Sequence, residues 1–257
     1  MSSTQSGEVT EVHHWTESLF SFVTTRHSGF RFRSGQFTML GLHGPERPIL
    51  RAYSIASAPY EDRLEFFSIK IPDGALTSRL QHMVLGDRVV VARKATGTLV
   101  LDNLLPGERL YLFGTGTGLA PFLSIIKDPE TYERFAQVVL VHGCRKTAEL
   151  AYGDEIIASL PKHQLIGEAV STQLVYHPTV TREPFRNRGR VTDLVKNGQL
   201  SAELRLPDVA ADSDRVMLCG GSEMLRDMRQ LLEARGFIEG SCAEAGHYVL
   251  EKAFVER

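Results

Sequence analysis

Cysteine is scarce in this sequence. Cys144, Cys219 and Cys242 are the only three among 257 residues, odd in number and far apart. They cannot build a disulfide framework or a Cys-rich zinc site. An iron–sulfur cluster of the common kind takes four thiolates, so this chain cannot hold one by itself. Such sparing use points to a reducing compartment, the cytoplasm. Long apolar runs are missing too: none reaches 18 residues, so no membrane-spanning helix is expected. The opening stretch MSSTQSGEVT lacks the apolar core of a signal peptide. No sign of charge dominates, with 29 basic and 31 acidic side chains and a net charge of −2, which gives no global reason to expect nucleic acid as a partner. The nine histidines form no HxxxH or Cys-containing ligand set, so no metal is expected, and no GxSxG elbow offers acyl chemistry.

What is present has two rhythms. The length exceeds the roughly 100–200 residues of one ordinary core, which favours two domains. In the first hundred residues, Leu19 to Thr25, Gln36 to Leu42, Ile49 to Ala56, Leu64 to Ile71 and Arg88 to Ala95 are short runs rich in Val, Ile, Phe and Tyr, punctuated by Gly, Pro, Asp and Ser. Only Leu76 to Val84 looks helical. This predicts a small antiparallel β-barrel over 1–101. After Pro106-Gly107 come short, almost wholly apolar runs, Leu110 to Phe113, Val138 to Val141, Leu174 to Tyr176 and Val216 to Cys219. Helical segments around 119–126, 148–160, 191–200 and 223–234 separate them, the last with Ser222 placed to cap it. Alternation of this kind predicts an α/β domain with a parallel sheet over 107–257.

Gly114-Thr115-Gly116-Thr117-Gly118-Leu119-Ala120-Pro121 follows the first apolar strand of the second half and opens a helix. Small residues there let backbone N–H groups approach a diphosphate. Leu119 occupies the third glycine slot of the dinucleotide fingerprint GxGxxG, so taken alone the run suits a nucleotide loop and a plain strand–helix turn about equally. Arg51-Ala52-Tyr53-Ser54 puts a guanidinium suited to a diphosphate near a phenol suited to stacking on a heterocycle, though a half-buried strand is the plainer explanation. Four arginines crowd into 182–190, out of proportion to a slightly acidic chain. A ribose 2′-phosphate wants arginines where a free 2′-hydroxyl usually meets a carboxylate. Glu183 in the same run is a counter-indication.

Together these runs resemble the ferredoxin–NADP reductase superfamily, and specifically its bacterial ferredoxin/flavodoxin–NADP(H) reductases, from about residue 7 onward. Arg51 to Ser54 resembles the RxYS flavin motif, and Gly74-Ala75-Leu76-Thr77-Ser78 the second FAD-diphosphate motif. Gly114 to Pro121 is similar to the GTGTGLAP nicotinamide-site motif, and Cys219-Gly220-Gly221-Ser222 to the CGxx motif. The resemblance implies an FAD-containing oxidoreductase that passes a hydride between NADP(H) and the flavin, and single electrons to or from ferredoxin or flavodoxin. It implies that Arg51 and Ala52 meet the FAD, Tyr53 stacks on its ring system and Ser54 bonds near the ring nitrogen that reacts. Phe67, Ser68, Ile69 and Lys70 would run beside the flavin, with Gly74, Leu76, Thr77 and Ser78 at its diphosphate. Gly116, Thr117 and Gly118 would receive NADP(H), with Arg145, Thr181, Arg182 and Arg190 toward its 2′-phosphate. Cys219 would flank the nicotinamide, although a free cysteine is more often a buried small hydrophobe. The ending resembles the bacterial subgroup in which Ala253 faces the flavin and Phe254 its adenine. The partners expected are ferredoxin or flavodoxin, with the chain itself a monomer. A free-flavin or quinone reductase, an electron-transfer subunit and a non-catalytic flavin sensor are the alternatives.

Overall fold

A computed structural model describes residues 3–44 and 47–253. Six antiparallel strands come first: β1 (Thr4–His14), β2 (Leu19–Thr25), β3 (Phe37–Leu42), β4 (Ile49–Ser54), β5 (Arg63–Ile69) and β6 (Arg88–Thr96), in the spatial order β4-β3-β6-β1-β2-β5. Successive side chains of a strand point to opposite faces, and β5 shows the consequence. Phe66 enters a core with Phe20, Phe22, Phe30 and Tyr53 inside the curled sheet, while Phe67 turns outward to pack against the second half of the chain. The expected barrel is a curled sheet that does not close. Its end strands β4 and β5 share no ladder, and the seam between them is crossed by the Ala56 N–H donating to Glu65 O at 2.8 Å and by the Tyr53 and Ser68 hydroxyls 3.2 Å apart.

The second sheet is wholly parallel. β7 (Arg109–Thr115), β8 (Gln137–Cys144), β9 (Leu174–Val180), β10 (Asp214–Gly220) and β11 (Tyr248–Lys252) lie in the order β11-β10-β7-β8-β9. Between the strands run α2 (Ala120–Ile126), α3 (Pro129–Arg134), α4 (Ala151–Ser159), α5 (Gly167–Gln173), α6 (Val191–Lys196), α7 (Gln199–Leu204) and α8 (Ser222–Ala234), with α1 (Thr77–Leu80) in the first half. Leu110, Leu112 and Leu140 face one helical layer and Tyr111, Phe113 and Val139 the other, so both faces of the sheet are covered, as a parallel sheet requires.

Several elements depart from the sequence reading for physical reasons. β1 was not expected, because only Gly7 and Val9 among its eleven residues are buried and its polar surface hides the strand period. The helix expected over 191–200 breaks into α6 and α7 at Gly198, whose φ of 75° no right-handed helix accommodates. Ser222 is the first helical residue of α8 and makes no cap; Gly221 holds the cap position. α3 was missed although its start is well marked: Pro129 at the first position, and Asp128 accepting the Glu130 N–H at 3.1 Å.

The two sheets are joined by a shared interior rather than a linker alone. Leu19, Ala56 and Phe67 from the first pack with Leu119, Phe122 and Tyr152 from the second. Within that interior sits a buried ion pair. Lys127, just past α2, donates from Nζ to Ala56 O at 3.1 Å and to Glu65 Oε2 at 3.2 Å, with Glu61 Oε1 at 3.7 Å. The Tyr152 hydroxyl donates to the other Glu65 oxygen at 2.9 Å, so the carboxylate is satisfied on both sides. Removing one partner of such a pair strands a buried charge. Lys127→Ala should therefore lower the unfolding free energy by about 3 kcal/mol, read from the urea midpoint at constant m-value. A loss under ~0.5 kcal/mol, the size of an exposed pair, would show that the ammonium does not hold the halves together.

Candidate functional site

The carboxyl ends of β7, β8, β9 and β10 converge on a cleft of about 560 Å³. Its floor begins at the turn after β7. Gly116 there has a φ of 54°, and a Cβ added to it would meet nothing within 4 Å, so the turn presents bare backbone to the cleft. Gly118 is constrained from the other side. Its Cβ would stand 2.2 Å from the carbonyl oxygen of Cys219, so only glycine lets the turn lie against the end of β10. Thr115 Oγ1 accepts the Gly221 N–H at 3.2 Å and ties the two strand ends together. The two motifs separated by about a hundred residues are thus one surface.

Three arginines line the far end. Arg145 follows β8 and pairs with Glu149 at 3.3 Å; Arg190 precedes α6 and pairs with Glu223 at 3.8 Å, both side chains largely exposed. Arg182 lines the same wall, and no ion pair occupies its guanidinium among the described residues. The Arg182 N–H donates to Arg145 O at 2.9 Å and the Thr181 N–H to Cys144 O at 3.1 Å, which draws the loops after β8 and β9 side by side. Glu183 is no part of this wall. Its carboxylate accepts the Thr147 N–H, and the Thr147 hydroxyl together with that N–H holds its pKa below the usual carboxylate range. Arg186 lies over the Phe185 ring at 5.6 Å, outside the lining, as does Arg188.

Of the residues singled out in sequence, the cleft brings together Ile69, Gly116, Thr117, Arg145, Thr181, Arg182, Arg190 and Ala253. Cys219 lies just beneath it, 1% exposed, and burial pushes its thiol well above the ordinary range, so it is a neutral packing group. The Ala253 N–H donates to Gly220 O at 3.2 Å, which places the end of the described chain against the same strand end. Phe254 lies outside the described residues.

The remaining candidates gather along the β4–β5 seam. Arg51 and Ala52 are exposed, and among the described residues the Arg51 guanidinium donates to the carbonyl of Leu50, at 2.9 Å. Tyr53 is buried with Ser68 at its hydroxyl, and burial raises its pKa. Ser54 ends β4 half-buried. Phe67 packs on Tyr152 with ring centres 4.4 Å apart, and Lys70 Nζ donates to Thr16 O at 2.7 Å. In the Gly74–Ser78 stretch, the Thr77 hydroxyl donates to Ile71 O at 3.3 Å and Leu76 is sunk in the curled-sheet core. Leu76 therefore offers a ligand its backbone alone.

Sequence reasoning missed His142, two residues before Cys144 in an otherwise apolar strand. It is fully buried, with Nε2 3.1 Å from Gly116 O. A polar ring ending a buried strand beside a glycine motif was the available signal. Burial pushes its pKa down to about 4 from the ordinary 6.5. An unfolded chain takes up this proton below pH 6.5 while the folded one refuses it until about pH 4. The folded state therefore loses about 3 kcal/mol as pH falls through that window. His142→Gln should lose less stability than the native chain between pH 7 and 4.5 in urea unfolding; identical losses would place the titration elsewhere.

The two glycines should also separate. Gly116→Ala has room but an unfavourable φ, costing roughly 1–2 kcal/mol. Gly118→Ala meets backbone and should cost about 3 kcal/mol or more. Equal unfolding midpoints for the two variants would contradict the close approach to Cys219.

Comparison with known proteins agrees with this architecture. The family described as the oxidoreductase NAD-binding domain matches residues 112–230. A ferredoxin–NADP reductase of Pseudomonas aeruginosa is 55% identical, with 100% of both chains covered. A flavodoxin/ferredoxin–NADP reductase of Rhodobacter capsulatus is 48% identical over 96% of this chain and 92% of its own. Among solved structures, a ferredoxin NADP+ reductase from Neisseria gonorrhoeae with bound FAD and NADP superposes with a TM-score of 0.89 at 32% identity, covering 99% of this chain and 100% of that one. With relatives this similar over their whole length, the chain belongs to the ferredoxin–NADP reductase family.

Proposed function

We infer that the protein is an FAD-dependent ferredoxin–NADP(+) reductase, exchanging electrons between NADP(H) and ferredoxin or flavodoxin. The observation that carries this is the cleft itself. It joins a bare glycine turn, an arginine wall and residues at the edge of the curled sheet, Leu19 and Ile69. FAD, when bound, supplies the conversion between hydride transfer and single-electron transfer. The chain contributes position and charge.

The residues present fit both groups. We propose that residues 1–101 hold FAD along the β4–β5 seam and residues 107–257 hold NADP(H) in the cleft. Arg51, with no carboxylate partner among the described residues, would take the FAD diphosphate with the backbone of Gly74–Ser78 and the Ser78 hydroxyl, the Thr77 hydroxyl being turned to Ile71 O. Ala52, Tyr53, Ser54, Phe67, Ser68, Ile69 and Lys70 would form the walls around the flavin. Tyr53 is held by Ser68 and packs edge-on against Phe66 at 6.1 Å, so its orientation is fixed in advance. The backbone of Gly116, Thr117 and Gly118 would receive the nicotinamide end. Arg182 and Arg190, with Arg145 and Thr181, would bind the 2′-phosphate, the first without giving up an internal partner. Cys219 and Ala253 would back the reacting ring as small, uncharged surfaces. Hydride exchange between two cofactors asks no proton of the protein at the reacting carbon, which suits a neutral thiol.

No helix among the described residues is long and apolar enough to cross a membrane. We read the chain as a cytoplasmic monomer without a nucleic-acid partner, on its balanced charge and its sparing use of cysteine.

The purified protein should be yellow, and its flavin absorbance should bleach anaerobically with NADPH. A colourless protein, or one that NADPH leaves yellow, would refute the assignment. Cytochrome c reduction should need added ferredoxin or flavodoxin; equal rates with free flavin alone would indicate a free-flavin reductase. Replacing Arg182 and Arg190 together with Ala should raise KM for NADPH about 100-fold, the loss of two charge-assisted contacts. KM for NADH should change less than threefold. Equal effects on both would remove the 2′-phosphate from this wall.

A further inference from the structure

Beneath the glycine turn lies a polar cluster that none of the assigned roles uses. His142, near the end of β8, is fully buried. Its Nε2 faces Gly116 O at 3.1 Å and Cys144 Sγ at 3.3 Å; its Nδ1 faces the Tyr176 hydroxyl at 3.5 Å. The Tyr176 hydroxyl in turn meets the carboxylate of Asp154 on α4. Gly153 leaves room beside this meeting, since a Cβ there would stand 2.9 Å from Leu119 Cδ2 and 3.2 Å from the Tyr176 oxygen. The carbonyl of the one residue in the turn with positive φ is therefore engaged from below.

An imidazole offers one N–H when neutral, and its partners decide which nitrogen carries it. A proton on Nδ1 would set the Nε2 lone pair 3.1 Å from a carbonyl oxygen, two acceptors facing each other. A proton on Nε2 lets that nitrogen donate to Gly116 O and leaves Nδ1 bare beside the Tyr176 hydroxyl, whose own proton has the Asp154 carboxylate as acceptor. Burial holds the ring neutral at physiological pH, its pKa pushed down to about 4. The Cys144 thiol stays protonated, raised by burial and the nearby Glu149 carboxylate, and so brings no charge to the cluster.

We propose that His142 is the positioning residue of the dinucleotide turn, donating from Nε2 to Gly116 O and so holding the Gly116 backbone in the conformation that NADP(H) meets. The inference rests on the reading that this turn receives NADP(H). It assigns the tightness of that seat to a side chain that never touches the dinucleotide. The anchor is set before the ligand arrives, so its loss falls on binding more than on turnover.

The test begins with the FAD-loaded native enzyme labelled with ¹⁵N. The His142 imidazole should show a protonated Nε2 and a bare Nδ1; a proton on Nδ1 overturns the proposal. Two variants then separate anchoring from packing. His142→Leu keeps the bulk and loses the donor, and should raise the Kd for NADP+ in calorimetry about tenfold, with faster hydrogen exchange at the Gly116 amide. His142→Gln can place a carboxamide N–H near the same position and should stay within about threefold of native. Native binding with unchanged affinity in both variants overturns the anchor but leaves the NADP(H) reading intact. Native enzyme that binds no NADP+ overturns the reading itself, whatever the tautomer. If His142→Leu does not fold, the nitrogen spectrum and the Gln variant still decide the matter.

Discussion

The arrangement of this molecule depends on a short helix that is fastened at both ends. At the start of α2 is the glycine turn, pressed against Cys219 O at the end of β10. At its other end Ser124 donates to Ser57 O at 2.7 Å, and Lys127 reaches Ala56 O and Glu65. Every one of those partners belongs to the first sheet or the turn after β4. The glycine turn at the cleft and the strands of the first sheet are therefore held within two helical turns of each other. The desolvation of an ammonium and a carboxylate is costly, and an apolar pair could match its net stability. What the charged pair adds is direction. An apolar contact tolerates sliding, whereas three oxygens around one ammonium fix both distance and angle.

Charge in the cleft follows a different rule from charge in the interior. Arg190 sits near a carboxylate of its own, Glu223, at 3.8 Å with both side chains widely exposed, while Arg145 lies 3.3 Å from Glu149, whose side chain is only 12% exposed. The exposed pair is weak and competes little for the Arg190 guanidinium. Arg182 has no ion-pair partner among the described residues, so the wall sets one unpaired cation beside two paired ones. Glu183, the carboxylate nearest in sequence, is spent on a backbone amide of the neighbouring loop.

Much of the architecture could be read from the chain. The apolar runs of β7, β8 and β10 became buried parallel strands, since a strand covered on both faces needs no polar alternation. Residues 51–54, 74–78, 114–121 and 219–222 pointed to the family that whole-length relatives then established. The losses had distinct causes. β1 is polar on nearly every residue, so its membership of the sheet comes from pairing with β2 and β6 rather than from its own pattern. The break at Gly198 needed a backbone angle that composition does not disclose. His142, Tyr176 and Asp154 come from three separate segments, and Lys127, Glu65 and Tyr152 from three more. No spacing rule links such residues; only the folded topology brings them together.

The unclosed seam between β4 and β5 has a further consequence. Two strand edges that face each other without a ladder leave backbone groups unpaired where a neighbouring chain could join. A flavin seated along that seam, as proposed, would cover those edges, and its binding free energy would add to that of the folded sheet. Loss of the cofactor would then uncover strand edges as well as remove the redox group.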